Sequence, residues 1–124
     1  MTSRTRRGLR NHLTGDAAET RIALEYERRG CRVDRRRWRG QGGEIDLIVR
    51  ADHELIFVEV KQSRDFDSAA ASLGARQMIR LQEAAAEFLA AEPLGQLTPV
   101  RFDVALVDSM GRFQILENAF GHDG

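Results

Sequence analysis

Residues 40–64 read GQGGEIDLIVRADHELIFVEVKQSR, and two apolar runs in this stretch have the length and composition of buried strands. The tripeptide ADH between them is a suitable tight connection, which predicts a hairpin. Asp46 interrupts the first run, while Glu59 and Lys61 stand at the end of the second, where a core would normally exclude charge. The stretch therefore predicts the centre of a sheet together with a polar cluster that needs an explanation.

The alternation of side chains along a strand explains how the core tolerates these charges. In strands over residues 44–50 and 54–62, Asp46 falls on the face opposite the apolar side chains, and so do Glu59 and Lys61. If the strands pair as an antiparallel hairpin, Asp46 and Glu59 emerge on one face at one end of the pair. The apolar side chains expected on the other face are Ile45, Leu47, Val49, Ile56, Val58 and Val60.

Such a cluster has a known chemistry. Two carboxylates a few ångströms apart repel each other unless a cation lies between them, and hard oxygen ligands suit magnesium or manganese. A neighbouring lysine could orient a water or stabilise charge on a phosphate, so that a phosphodiester is attacked. The other interpretation is an ion-paired trio at a sheet edge without catalysis, and the spacing alone leaves both open.

Composition indicates one folded domain. The chain has 124 residues, of which 42% are hydrophobic and 31% charged, which excludes a disordered protein. A single cysteine, Cys31, excludes an internal disulfide. No apolar run approaches the length of a membrane span, and the N-terminus lacks the apolar stretch of a secretory signal. We therefore expect a cytoplasmic protein that does not associate with membranes.

The net charge of zero hides two oppositely charged parts of the chain. Residues 1–40 carry 12 arginines against five acids, a net charge of +7, and residues 41–124 carry −7. Eighteen of the 19 basic residues are arginine, whose planar fork of donors suits phosphate oxygens. This pattern indicates a phosphate-bearing partner, or else only the codon bias of a GC-rich genome.

Outside the hairpin the sequence predicts a helix, a short strand, a second helix and two more strands. Asp16 can cap the first helix, with Glu19 completing a capping box. The ranges are a flexible basic arm over 1–11, a short strand over 31–34, a helix over 75–91, strands over 101–108 and 112–117, and a polar tail over 121–124. Residues 12–120 would then form a single domain of α/β class around one mixed sheet.

The segment GGEIDLIVRADHELIFVEVKQSR, residues 42–64, closely resembles the signature of the YraN family of small bacterial proteins. That family has a restriction-endonuclease-like fold and a D…(D/E)-x-K motif. The resemblance extends over residues 15–120 and includes RRRWR at 35–39, RFDVALV at 101–107 and ENAF at 117–120. It implies a restriction-endonuclease-like fold, with a central mixed β-sheet flanked by helices.

The resemblance also implies a metal-dependent nucleic-acid site. Asp46 and Glu59 would hold magnesium or manganese together with the backbone carbonyl of Val60, and Lys61 would be the motif lysine. Glu19 would be the helix glutamate that often joins such sites, although the sequence equally allows it to complete the capping box. Gln77 stands where the family commonly has a lysine, and it could still bind a phosphate or orient a water.

Five residues just before the site strands are candidates for nucleic-acid binding. They are Arg35, Arg36, Arg37, Trp38 and Arg39. The arginines would contact phosphates, while Trp38 could stack on a base or close one side of the core. We therefore expect a metal-dependent nuclease that acts on DNA rather than RNA. The alternatives are a non-catalytic nucleic-acid-binding module or an adaptor, and a homodimer is left open.

Overall fold

Five strands form one mixed sheet, and helices cover both of its faces. The computed structural model describes the backbone of residues 3–119 and the side chains of residues 15–119. In chain order the elements are α1 (Ser3–Arg28), β1 (Arg32–Arg39), β2 (Glu44–Arg50), β3 (Leu55–Gln62), α2 (Phe66–Ala71), α3 (Ala75–Leu89), a 3-10 turn (Gly95–Leu97), β4 (Val100–Val107) and β5 (Phe113–Leu116).

The strands lie in sequence order across the sheet, and only β3 and β4 are parallel. A parallel neighbour requires a crossover, which α2 and α3 supply, whereas the antiparallel pairs are joined by short turns. This architecture confirms the predicted α/β class and central mixed sheet flanked by helices, and it is consistent with a restriction-endonuclease-like fold. No helix among residues 3–119 is long and apolar enough to cross a membrane.

Two apolar layers hold the helices on the sheet. On one face, Ile22 and Tyr26 of α1 pack on Leu47 and Val58 in the two strands of the hairpin. On the other face, α3 packs on side chains that include Phe57, whose ring lies 6.0 Å from that of Phe88. Because the hairpin is buried on both faces, its strands read as nearly continuous apolar runs, and a charge within them lies close to the core.

Element boundaries were predicted well around the hairpin and less well at the N-terminal end. The predicted helix start at Asp16 was wrong, because α1 begins at Ser3 and includes residues 3–11 that were expected to form an arm. Asp16 bonds Arg37 rather than a helix-end amide. The first strand was predicted too short, since β1 extends through Arg39. The flexibility of the arm and the domain boundaries stay predictions, and the tail at 121–124 lies outside the described residues.

The alternation predicted for β2 fails at one position. Ile45 was expected beside Leu47, but it packs on the α3 face of the sheet together with its cross-strand partner Trp38. The neighbouring residue of β1, Arg37, has a left-handed backbone with φ of 52°. A non-glycine residue in that region is uncommon and costs about 1–3 kcal/mol. Both strands therefore depart from regular geometry beside Asp46, so the irregularity lies at the predicted site.

Asp103 of β4 is fully buried and links three parts of the fold. Its carboxylate accepts hydrogen bonds from the Tyr26 hydroxyl of α1 at 2.6 Å and from the Arg101 guanidinium at 2.8 Å, so that Asp103 and Arg101 form a salt bridge. It also accepts from the backbone N–H of Asn118, which follows β5. Burial and this carboxylate raise the pKa of Tyr26. The hydroxyl therefore stays protonated and donates.

We predict that Asp103→Ala lowers the free energy of unfolding by roughly 3–5 kcal/mol, because removing one partner of a buried pair leaves the other uncompensated. Tyr26→Phe, which removes one donor only, should cost roughly 1–2 kcal/mol. Urea denaturation followed by circular dichroism measures both. Asp52→Ala, at an exposed aspartate in the hairpin turn, is the control and should change stability by less than about 0.5 kcal/mol. Equal effects at Asp52 and Asp103 would contradict this role.

Candidate active site

The candidate site lies where β2 and β3 part. Their backbone pairing ends at Leu47 and Val58. Just beyond this last pair, the Asp46 carboxylate of β2 accepts a hydrogen bond from the backbone N–H of Val60 in β3 at 2.8 Å. The side chain of Asp46 thus takes the place of a ladder carbonyl. The separation of the strands explains why a carboxylate is tolerated here, since a buried N–H without an acceptor would cost free energy.

The backbone of Val60 presents its carbonyl to the same gap. In β3 the N–H groups of Leu55 and Ser63 bond toward β4, accepting partners being the carbonyls of Pro99 and Val107. Along a strand, successive residues direct their N–H and C=O groups to opposite edges. The even-numbered residues of β3, including Val60, therefore direct these groups toward β2. Since β2 has separated from β3 beyond Leu47, the Val60 carbonyl faces the side of the strand on which Asp46 lies.

Burial and like charge make Asp46 an unusual carboxyl. The pKa of Asp46 is raised from 3.8 to about 7, first by burial and then by the negative charge of Glu59, while the hydrogen bond from Val60 opposes this rise. Glu59 is itself only 6% exposed. The predicted closeness of Asp46 and Glu59 is therefore present in the structure. Two acidic groups share a poorly solvated space, which favours a cation between them.

Glu59 is held by two side chains that the sequence analysis placed in the site. The Lys61 ammonium lies 3.4 Å from Glu59 Oε2, and the Gln77 side-chain amide donates to the same oxygen. Lys61 comes from the next outward position of β3, and Gln77 from the first turn of α3. One carboxylate oxygen therefore joins the strand to the helix that covers it.

A cavity of about 530 Å³ opens beside this cluster on the α3 side. Among the predicted site residues, Asp46, Glu59 and Gln77 line it. The remaining lining residues come from the end of the glycine loop, the α2–α3 connection and the first turns of α3: Gly43, Glu44, Ser72, Gly74, Arg76, Arg80 and Leu81. The acidic pair is thus reachable from solvent through a concave opening of a size that admits part of a nucleotide.

The donor set matches a hard divalent cation in type. Carboxylate oxygens of Asp46 and Glu59 and the carbonyl of Val60 are ligands that magnesium and manganese accept. Within the described part of the chain, no cluster of three or more His, Cys, Asp or Glu side chains is arranged to hold a metal ion. A cation here would therefore depend on two carboxylates and a backbone oxygen, with water or substrate completing its coordination.

Glu19 lies on α1, close enough to Asp46 for the charge of Asp46 to raise its pKa, although burial is the larger cause. Its carboxylate accepts a hydrogen bond from Arg37 Nε at 2.9 Å. This bond excludes the capping-box role, because the helix has begun 16 residues earlier and the carboxylate is engaged elsewhere. Arg37, whose backbone is left-handed, thus has its side chain on the face of the sheet that α1 covers.

The four arginines predicted to bind nucleic acid all have acidic partners in the structure. Arg37 bonds Glu19 and Asp16, Arg36 lies 3.8 Å from Glu19, and the other two pairs are Arg35 with Asp34 and Arg39 with Glu44. Trp38 packs edge-on against Phe88, with ring centroids 5.3 Å apart, and so closes one side of the core. Nucleic-acid contact by these residues stays a prediction.

The glycine loop before β2 is fixed by Glu87, a residue for which the sequence predicted no role at the site. The Glu87 carboxylate of α3 accepts hydrogen bonds from the backbone N–H groups of Gln41 at 2.7 Å and Gly42 at 2.6 Å. A Cβ at position 42 would stand 3.0 Å from the Glu83 Cβ and from a Glu87 oxygen, so glycine permits the close approach. The glycines of GQGG were a signal of such an approach, but nothing in the sequence named the helix residue that uses it.

We predict that Asp46→Asn has a higher free energy of unfolding than wild type at alkaline pH. This difference between mutant and wild type should be smaller at acidic pH. Between its unfolded pKa of 3.8 and its folded pKa of about 7, Asp46 holds a proton that the unfolded chain releases, so wild-type stability falls as the pH rises through that window. The amide carries no charge and can still accept from Val60. Its advantage should grow by roughly 2–3 kcal/mol between pH 5 and pH 8.

Urea denaturation of both proteins in a chelating buffer, at several pH values from 5 to 8, measures this difference. The same substitution at exposed Asp52 serves as the matched control. An advantage of Asp46→Asn that stays constant across the range would contradict the burial and charge repulsion inferred for Asp46.

Comparison with known proteins assigns the chain to a family. Residues 18–107 match the model of "Uncharacterised protein family UPF0102". A UPF0102 protein of Ruegeria pomeroyi is 70% identical over 116 residues, which are 94% of each chain. A UPF0102 protein of Cereibacter sphaeroides strain ATCC 17025 is 59% identical over 110 residues, 89% of this chain and 94% of the relative. The resemblance read from the sequence is thereby confirmed, and the chain belongs to UPF0102, the YraN family.

Proposed function

We propose that the protein is a metal-dependent nuclease that hydrolyses phosphodiester bonds of nucleic acid, with DNA as the expected substrate and magnesium or manganese as the expected cofactor. The observation that carries this proposal is the pair of acidic side chains, Asp46 and Glu59, at the end of the separated strands. They share a poorly solvated space that opens into a cavity, and the pKa of Asp46 is raised accordingly. A purely structural role would not require an opening beside such a pair.

Each residue of the site has a task under this proposal. Asp46, Glu59 and the Val60 carbonyl would hold the cation, which supplies charge neutralisation at the phosphate and activation of a water when bound. Lys61, now paired with Glu59, would stabilise negative charge that develops on the phosphate. Gln77 orients the Glu59 carboxylate, and Glu19 adds negative charge beside Asp46.

The second candidate is a nucleic-acid-binding module or adaptor without catalysis. It is favoured because the two carboxylates of the cluster already have partners within the protein. Asp46 accepts a hydrogen bond from Val60, and Glu59 contacts both Lys61 and Gln77. A trio that neutralises itself can stabilise a sheet end without binding a cation. The two candidates differ in whether a cation changes the behaviour of the protein.

We predict that wild-type protein cleaves labelled nucleic acid at low salt with magnesium or manganese and stops when a chelator is added. Single-stranded, duplex, flap and branched DNA, with a matched RNA, cover the substrate geometries. Asp46→Ala should lower the rate by at least about 100-fold, since even outer partners of metal ligands are worth about 10- to 100-fold. Asp52→Ala, which changes an exposed carboxylate away from the site, should keep the wild-type rate.

Thermal melting with and without the cation provides a second readout. Magnesium or manganese should raise the melting temperature of wild type and leave that of Asp46→Ala unchanged, because binding only to the folded state stabilises it. Binding of nucleic acid without cleavage of any substrate, and without a cation effect on melting, would reject the nuclease and support the binding module.

A further inference from the structure

Two arginines of the cavity have no role in the proposed chemistry. Arg76 and Arg80 are exposed on α3 and line the same cavity as Asp46 and Glu59. Among the described side chains, neither forms an ion pair with a carboxylate. Every other arginine with a described side chain forms one, except Arg21, whose guanidinium lies over the ring of Phe113.

The positions of these two side chains suit an extended anion. They stand four residues apart on one helix, which places them on the same side about 6 Å apart along the axis. The glycine loop packs beside Arg80, since a Cβ at Gly43 would stand 3.6 Å from the Arg80 Cβ. The base of that side chain is therefore held against the rim of the cavity, while its guanidinium has no competing acidic partner among the described residues.

We propose that Arg76 and Arg80 bind two phosphates of one nucleic-acid strand and hold it along the exposed side of α3, with a neighbouring phosphodiester beside Asp46 and Glu59. This inference rests on the proposed function and adds the path by which the strand reaches the site. Guanidinium groups bind phosphate oxygens through paired, charge-assisted hydrogen bonds. Their positive charge also offsets the repulsion between a phosphate and the two carboxylates.

Energetics favour these two arginines over those of β1. To bind a phosphate, Arg37 would first have to release Glu19 and Asp16, and Arg39 would have to release Glu44. Arg76 and Arg80 avoid this cost, because they have no acidic partner to release within residues 15–119. The β1 arginines would contribute at most a longer-range attraction, whereas the α3 pair would make the contacts nearest to the acidic side chains.

Salt dependence of binding tests the proposal independently of cleavage. Fluorescence anisotropy with labelled single-stranded and duplex DNA, in a chelating buffer over a range of sodium chloride, gives the slope of log K against log salt. Removing two phosphate contacts in the double variant Arg76→Gln/Arg80→Gln should reduce the magnitude of the slope by about 1.4 for single strands and about 1.8 for duplex. Affinity at low salt should fall by roughly 10-fold or more.

The matched control removes the same charge elsewhere. Arg28→Gln/Arg32→Gln changes two exposed arginines that do not line the cavity and that are paired with Glu25 and Asp34, and it should keep the wild-type slope. Arg76→Lys/Arg80→Lys keeps the charge, so it should retain the slope while losing part of the affinity. Melting curves establish that each variant is folded.

The outcomes separate this inference from the function on which it rests. If wild type binds DNA and Arg76→Gln/Arg80→Gln keeps the wild-type slope and affinity, the role of the α3 pair is overturned while the nuclease proposal stands. An equal loss in the Arg28→Gln/Arg32→Gln control would also overturn it, because the effect would then reflect net charge alone. If wild type binds neither DNA nor RNA, the proposed function fails and the inference fails with it.

Discussion

The arrangement of the site depends on one hydrogen bond, from the backbone N–H of Val60 to the carboxylate of Asp46. Where β2 leaves β3, this N–H loses its ladder acceptor, and the side chain of Asp46 supplies one from the departing strand. The bond therefore brings a carboxylate into a poorly solvated place next to Glu59. The raised pKa of Asp46 follows from that placement, because the carboxyl group is buried and faces the negative charge of Glu59.

Two elements outside the strands keep this geometry in place. Glu87 of α3 fixes the glycine loop through two backbone N–H groups, so the chain enters β2 in a defined position relative to the helix. On the opposite face, Tyr26 ties α1 to β4 through Asp103. Each contact joins a helix to the backbone or the interior of the sheet, so the separated strand ends are held from both sides.

The sequence predicted the parts of the structure that depend on local pattern. The hairpin, the facing of Asp46 and Glu59, and the main helix after them all follow from period-two and period-3.6 alternation, which the amino-acid order carries directly. The family resemblance added the fold and named Gln77, whose bond to Glu59 the structure contains.

The parts that could not be predicted depend on contacts between distant residues or on irregular backbone. Ile45 lies on the α3 face because β2 departs from regular pleating there. No residue type in this part of the sequence predicts such an irregularity. The N-terminal helix begins earlier than its capping signals indicate, since Asp16 and Glu19 use their carboxylates on Arg37, 18 or more residues away. That Arg76 and Arg80 form no ion pair with the described side chains could not be predicted, because it depends on where the carboxylates of distant residues lie in the fold.

At position 37, selection for stability and selection for activity favour different residues, because the backbone of Arg37 is left-handed while its side chain binds Glu19. Glycine adopts a left-handed backbone without steric cost, so a screen that rewards thermal stability alone would favour glycine at this position in the strand. The same exchange would remove the cation that neutralises Glu19 beside Asp46. If the proposed function holds, a library sorted for stability and one sorted for activity should therefore diverge at this position.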